Sequence, residues 1–388
     1  MSLVKAGRPA RHHVAAQKKR KRGRRVPPTP RRAQPERAHV RETHDEIARQ
    51  TWNALPESEK EAILHEIVHT RAVDLQRAYP DILAIGYGMR TRYSGARRRR
   101  RLPELTLKFL VKKKWAGKPT KAASKRALPR ELHAYCGAPD GRALCIVPTD
   151  IDHSVSYKNC RPQVGPRLVA ASPSGQPTVS ELGSIACIVN IPGGGDTPYA
   201  LSAAHVFDLT AQTWPGLPSN VGVTDSVSQE PFAQVTDFAG PIQSSSDGLS
   251  FDAALAQVSD ASALANVMDM PRPLQCIGSA AQLPATYMIS TSHGKLIATK
   301  GTVWKNQILT YQINNGTTVD VQHDTLIESD AQTQPGDSGA PVVTNDQQTL
   351  LGMNIYGGEG VCFMIPAFCL IKSENYSGLP AGQLLKLV

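Results

Sequence analysis

The sequence predicts an all-β fold over its second half, preceded by a disordered basic arm, a helical segment and a small α/β unit. The first sign is turn spacing. From residue 184 onward, short apolar or β-branched runs alternate with Gly, Pro, Asn and Asp clusters, the pattern of an antiparallel sandwich or barrel. The second is charge: residues 1–164 hold 37 Lys and Arg against 15 Asp and Glu, a net of +22, which leaves −11 for residues 165–388. The third is an apolar repeat of helical period between residues 42 and 78. At 388 residues the chain has room for more than one domain. The composition shifts divide it at 1–40, 41–80, 81–160, a linker at 161–180, and 181–388.

Residues 1–40 are rich in Arg, Lys and Pro and poor in large apolar groups, so burial cannot offset the entropy of ordering them. The densest run, from Lys18 to Arg25, suits non-specific contact with nucleic acid or an anionic surface by neutralising phosphates; the plain alternative is a solvated tail. In the helical segment Ser58 and Glu61 have the spacing of a capping box, followed by Ile63, Leu64, Ile67, Val68, Ala72 and Leu75 on one face. Pro80 ends that pattern. Within it His65, Glu66 and His69 show the spacing that sets two imidazoles on one helical face for zinc. No Gly and third His follow, and the next Glu is Glu104, so these residues read as the polar edge of the helix. No metal or cofactor is assigned.

Leu83–Met89 and Leu105–Val111 alternate as strands, with Arg97 to Arg101 at the tip between them, and Cys145–Asp150 closes the unit. Pro162, Gly165, Pro166, Pro173, Gly175 and Pro177 mark the linker. Opposite net charges would draw the front and back portions into contact within one molecule. Seven cysteines, an odd and scattered set, are expected as small core thiols in a reducing compartment. With no signal-like start and no apolar run of membrane length, the location expected is cytoplasmic.

The chemistry gathers around Pro335-Gly336-Asp337-Ser338-Gly339-Ala340-Pro341, which feeds into Val342-Val343. A glycine turn of this kind can aim the N–H groups of Gly336 and Ser338 into one small pocket, where they would hold an oxyanion as Ser338 attacks a carbonyl. Upstream, the apolar run Tyr199–Ala203 leads to His205, and Asp252 opens the apolar run Ala253–Ala256. Asp247 and Asp260 lie near, but only Asp252 continues directly into a buried strand. The order His, Asp, Ser, at separations of 47 and 86 residues, matches one known triad order.

On these three motifs the region from about residue 165 to the end resembles the trypsin-like serine peptidases, of the intracellular bacterial type that carries an N-terminal extension. The resemblance implies two six-stranded antiparallel barrels with His205, Asp252 and Ser338 between them, Gly336 and Ser338 as the oxyanion hole, and a protein or peptide substrate. It implies a serine endopeptidase that works through a covalent acyl-enzyme, with the basic front regulating or localising it. The floor of the first substrate pocket falls on Gln332, a neutral amide with no counter-charge for Arg or Lys. Thr333, Asn354, Tyr356 and Gly357 fall on its wall. The competing readings are a non-catalytic nucleic-acid or partner-binding protein on the same scaffold and, further off, a zinc enzyme using His65, Glu66 and His69.

Overall fold

The chain forms two sheet systems, and within residues 183–186 the Ser184 main chain bonds to the turn around Ser338. The structure, a computed structural model, describes residues 36–94, 98–111, 128–137, 143–153, 169–172, 182–207, 222–225, 231–240, 242–259, 273–291, 294–312, 318–334, 336–358 and 360–388. The basic arm up to residue 35, Arg97, Cys160, most of the expected linker, Asp260 and Pro335 lie outside these residues.

The chain opens with helices α1 (Glu36–Ala54) and α2 (Glu57–Ala78). Pro56 separates them and stands at the N-cap of α2 without a side-chain cap bond, so Ser58 lies inside the first turn and the expected capping box does not form. An absent cap costs about 1 kcal/mol. Burying Leu64, Ile67, Val68 and Leu75 contributes roughly 2 kcal/mol each before ordering costs, so packing decides the helix.

Strands β1 (Ile82–Ser94) and β2 (Arg98–Val111) form a hairpin, but Arg98 to Arg101 lie within β2, paired with Ser94 to Thr91, where a tip was expected; β3 (Glu131–Cys136) and β4 (Ala143–His153) follow. Strand β4 runs parallel to β2 and antiparallel to β3. Strands β5 (Val169–Ser172), β6 (Leu182–Gly183), β7 (Cys187–Asn190) and β8 (Pro198–Ser202) lead to the single turn α3 (Ala204–Phe207). Strand β5 sits inside the stretch that its prolines and glycines marked as linker. Then come β9 (Gly222–Asp225), β10 (Pro231–Ala239), β11 (Leu249–Ser250), β12 (Ala254–Val258) and β13 (Gln275–Cys276). The eight-stranded antiparallel sheet runs β20 (Lys386–Leu387), β7, β8, β12, β10, β9, β5, β6.

The remaining strands are β14 (Thr286–Thr291), β15 (Gly294–Gln312), β16 (Thr318–Ser329), β17 (Pro341–Val343), β18 (Thr349–Gly358) and β19 (Val361–Pro366), followed by the turn α4 (Ala367–Leu370). Pairing runs β16, β19, β18, β17, β14, β15, and β15 pairs again with β16. That closes a six-stranded antiparallel ring, as the resemblance implied. Strand β15 runs unbroken through Asn306, which takes a positive φ of 56° while its neighbours Lys305 and Gln307 stay paired with Thr325 and His323.

The front of the chain joins this ring directly. Ile85, Gly86 and Tyr87 of β1 pair with Lys305, Trp304 and Val303 of β15, so β1–β4 extend the same sheet. At Gly86 a Cβ would lie 2.3 Å from the Val303 carbonyl oxygen, so this close approach requires glycine. Helix α2 adds Glu61 to Lys300 Nζ at 2.8 Å, and Gln76 Oε1 accepts from Asn306 Nδ2 at 3.1 Å.

Candidate active site

Strands β8 and β12 are adjacent and antiparallel, with Ser202 opposite Ala254. That register puts the residues just after β8 and just before β12 at one end of the sheet, which is why His205 and Asp252 meet. Ser202, Ala203 and Ala204 are small and buried, and Val206 N–H donates to the Ala203 carbonyl as α3 turns. Asp252 is fully buried. Its Oδ1 accepts the main-chain N–H of His205 at 3.1 Å and its Oδ2 pairs with His205 Nδ1 at 2.6 Å. A carboxylate on Nδ1 fixes the neutral tautomer that leaves the Nε2 lone pair available. Burial alone would push the Asp252 carboxyl up; the charge and hydrogen bonds of His205, with His323 behind, hold it below the ordinary carboxylate range. Asp247 sits instead in an exposed turn, accepting from Ser246 Oγ.

The turn around Ser338 is fixed largely through its own main chain. Gly336 and Gly339 have φ of 93° and 86°. At Gly339 a Cβ would fall 1.9 Å from the Ser184 carbonyl oxygen and 2.5 Å from Ser202 Oγ, so no larger residue fits. Ser184 donates its N–H to the Ser338 carbonyl at 2.7 Å and its hydroxyl to the Gly336 carbonyl at 2.9 Å. Gly339 N–H donates to the Asn354 carbonyl at 2.7 Å, and Asp337 Oδ2 accepts Gln334 N–H at 2.7 Å. Among the described residues, the N–H groups of Gly336 and Ser338 donate to no group of the chain. Those are the two donors an oxyanion needs.

Ser338 Oγ donates to the Ile355 carbonyl at 3.2 Å. Among the described residues no hydrogen bond joins it to His205.

The residues expected around the substrate divide. Gln332 is exposed, while Thr333, Asn354 and Tyr356 are buried. Asn354 Nδ2 donates to the Asp337 carbonyl at 2.8 Å and Tyr356 OH to the Thr310 carbonyl at 2.8 Å. Asn354 thus braces the turn around Ser338. Gly357 lies on β18 opposite Cys362. His65 and His69 stack at 6.1 Å between ring centroids on α2, and among the described residues no cluster of three His, Cys, Asp or Glu could hold a metal ion. The sequence did not single out Tyr311 and His323, whose side chains close around Asp252: Tyr311 OH donates to Asp252 Oδ2 at 2.9 Å and meets His323 Nε2 at 3.2 Å. A cavity of about 310 Å³ beside His323 is lined also by Ser250, Phe251, Asp324 and Cys369, and by neither His205 nor Ser338.

Residues 187–353, which span His205, Asp252 and Ser338, match the family model of the trypsin-like peptidase domain. The chain therefore carries a trypsin-like peptidase domain, and its class is that of the serine endopeptidases, which are hydrolases. Solved structures similar to part of it include a glutamic-acid-specific serine protease at 15% identity, covering 55% of this chain and 97% of the other, with a TM-score of 0.35. A Nocardiopsis protease matches at 16% identity, over 58% of this chain and 97% of its own, with a TM-score of 0.34. The active form of a protease from M. tuberculosis matches at 17% identity, over 55% and 88%, with a TM-score of 0.30. No curated protein matches the chain. No helix among the described residues is long and apolar enough to cross a membrane.

Proposed function

We propose that the domain hydrolyses peptide bonds through His205, Asp252 and Ser338. The observation that carries this reading is the buried Asp252 carboxylate taking both the Nδ1–H and the main-chain N–H of His205. Ser338 Oγ passes its proton to His205 Nε2 as it bonds to the substrate carbonyl carbon, and the Gly336 and Ser338 N–H groups receive the oxyanion. His205 returns the proton to the departing amine as the C–N bond breaks, leaving an acyl ester on Ser338. Water then gives a proton to His205 while its oxygen attacks the ester, and His205 reprotonates Ser338 as the acid leaves.

Gln332 offers no negative charge to Arg or Lys, so substrates with another residue before the cut are favoured. The basic stretch before residue 36 is read as a localising or regulating segment that holds polyanionic surfaces. Loss of salt-sensitive heparin retention on removing residues 1–35 is the outcome expected; unchanged retention removes that role.

A fluorophosphonate probe read by intact mass tests the catalytic reading. One adduct on the full chain and none on Ser338→Ala is expected. No adduct on the full chain overturns it and favours a binding scaffold, for which the Ser338 bond to Ile355 is the supporting observation.

A further inference from the structure

Asp252 Oδ2 has two donors, not one. His205 Nδ1 takes one side at 2.6 Å and Tyr311 OH the other at 2.9 Å, while Oδ1 holds the His205 main chain. Tyr311 belongs to β15 of the six-stranded ring, whereas Asp252 and His205 stand at the end of the eight-stranded sheet. The phenol therefore reaches from one sheet system to the triad carboxylate of the other. Its single proton is given to Asp252, so its oxygen is left to accept, and His323 Nε2 lies 3.2 Å away. His323 is buried on β16 and paired across from Gln307. Burial pushes its pKa down to about 4, with His205 adding to the fall and Asp252 opposing it, so near neutral pH the ring is uncharged and its one proton sits on Nε2 to donate to Tyr311. Burial, then the Asp252 charge, keeps the phenol protonated.

We infer that Tyr311 and His323 are positioning residues for the catalytic pair, a two-step hydrogen-bond brace that locks the Asp252 carboxylate in the plane His205 needs. This rests on the catalytic reading of His205, Asp252 and Ser338. The brace is itself held. Tyr356 OH fixes the Thr310 carbonyl beside Tyr311, and Thr310 Oγ1 donates to Asp320 Oδ1 at 2.7 Å across the hairpin. Edge contact between the Tyr311 and His205 rings at 5.8 Å limits tilting of the imidazole as well. The titratable groups facing this carboxylate are thus His205 from α3, Tyr311 from β15 and His323 from β16, with Tyr356 of β18 against Tyr311.

Without the phenol, Asp252 Oδ2 keeps only His205 as a side-chain partner, so its charge is less shared and the imidazolium is stabilised. The base then stays protonated to higher pH, and the carboxylate gains freedom to rotate. The test follows the labelling rate of the full chain by fluorophosphonate between about pH 5 and pH 9, with melting curves for every variant. In Tyr311→Phe the rate at neutral pH should fall roughly tenfold to a hundredfold, as expected for losing a hydrogen bond to a charged group, and the acid limb should move to higher pH. His323→Leu should shift both in the same direction by less. His323→Gln, whose amide N–H can still reach the phenol, should return toward wild type.

A wild-type chain that labels, with Tyr311→Phe folded and matching it in rate and acid limb, overturns the brace and leaves the catalytic reading standing. Should Tyr311→Phe not fold, equal rates and limbs for His323→Leu, His323→Gln and wild type overturn it equally. A wild-type chain that does not label brings down the catalytic reading and the brace together.

Discussion

The nucleophile turn and the aspartate end of the site are held in opposite ways. Around Ser338 the fixing bonds act chiefly on the turn's own main chain: carbonyls at 336, 337 and 338 each accept a donor, from the main chain or from Ser184 Oγ and Asn354 Nδ2, and two glycines with positive φ make the path possible. Around Asp252 the bonds fall on its side chain and come mostly from other side chains, His205, Tyr311 and, one step back, His323, with the His205 main-chain N–H on Oδ1. A turn held by its backbone fails when its shape is changed. A carboxylate held by side chains fails when their hydrogen-bonding chemistry is changed, with the shape intact.

Asp252→Asn breaks that contrast at its sharpest point. An amide in place of the carboxylate supports the wrong imidazole tautomer, so the labelling rate should drop roughly ten-thousand-fold while far-UV circular dichroism stays native. A rate within tenfold of wild type would remove Asp252 from the catalytic set. Gly339→Ala is the opposite case. Its Cβ would meet the Ser184 carbonyl oxygen at 1.9 Å in a left-handed conformation, so labelling and stability should fall together, the latter by about 3 kcal/mol in urea unfolding. Full stability with lost labelling would mean the turn tolerates distortion and only its alignment matters.

Acid sharpens the comparison further. His323 has an unfolded value near 6.5 and a folded value of about 4, so the unfolded chain binds this proton first. Stability from this group is complete above about pH 6.5 and is lost as pH falls toward 4, by about 3 kcal/mol. The lowered Asp252 carboxyl acts in the same direction at still lower pH. Melting temperature should fall between about pH 7 and pH 4.5, and fall less in His323→Gln; parallel curves would place the acid sensitivity elsewhere.

Sequence reading reached the parts whose cause is local. Gly336 and Gly339 announce a tight turn, the small residues before His205 announce a packed strand end, and Asp252 continues into Ala253-Ala254-Leu255. Parts whose cause is a distant pairing were not legible. Tyr311 lies beside Asp252 because β15 runs on through Asn306, a residue type that favours turns and here takes a positive φ with its pairing to β16 unbroken. The Asn354 bond to the Asp337 carbonyl was not legible either, since nothing in its neighbours reveals that this residue of β18 supports that turn. Ser58 and Glu61 had capping spacing, but Pro56 fixed the start of the helix one residue before Ser58. Likewise no local signal in Ile85-Gly86-Tyr87 names β15 as its partner, beyond a glycine that a close neighbour would need.

That pairing alters what a broken chain would be. With β1 hydrogen-bonded to Val303–Lys305 and α2 tied to Lys300 and Asn306, a single nick between His153 and Val169 would yield two peptides that still migrate as one particle in gel filtration. They would part only in denaturant. Excising the whole front would strip a neighbour from β15 and leave unpaired N–H and C=O groups beside Trp304, an adhesive border for other molecules. Shortened versions of the protein are therefore better begun before β1 than after β4.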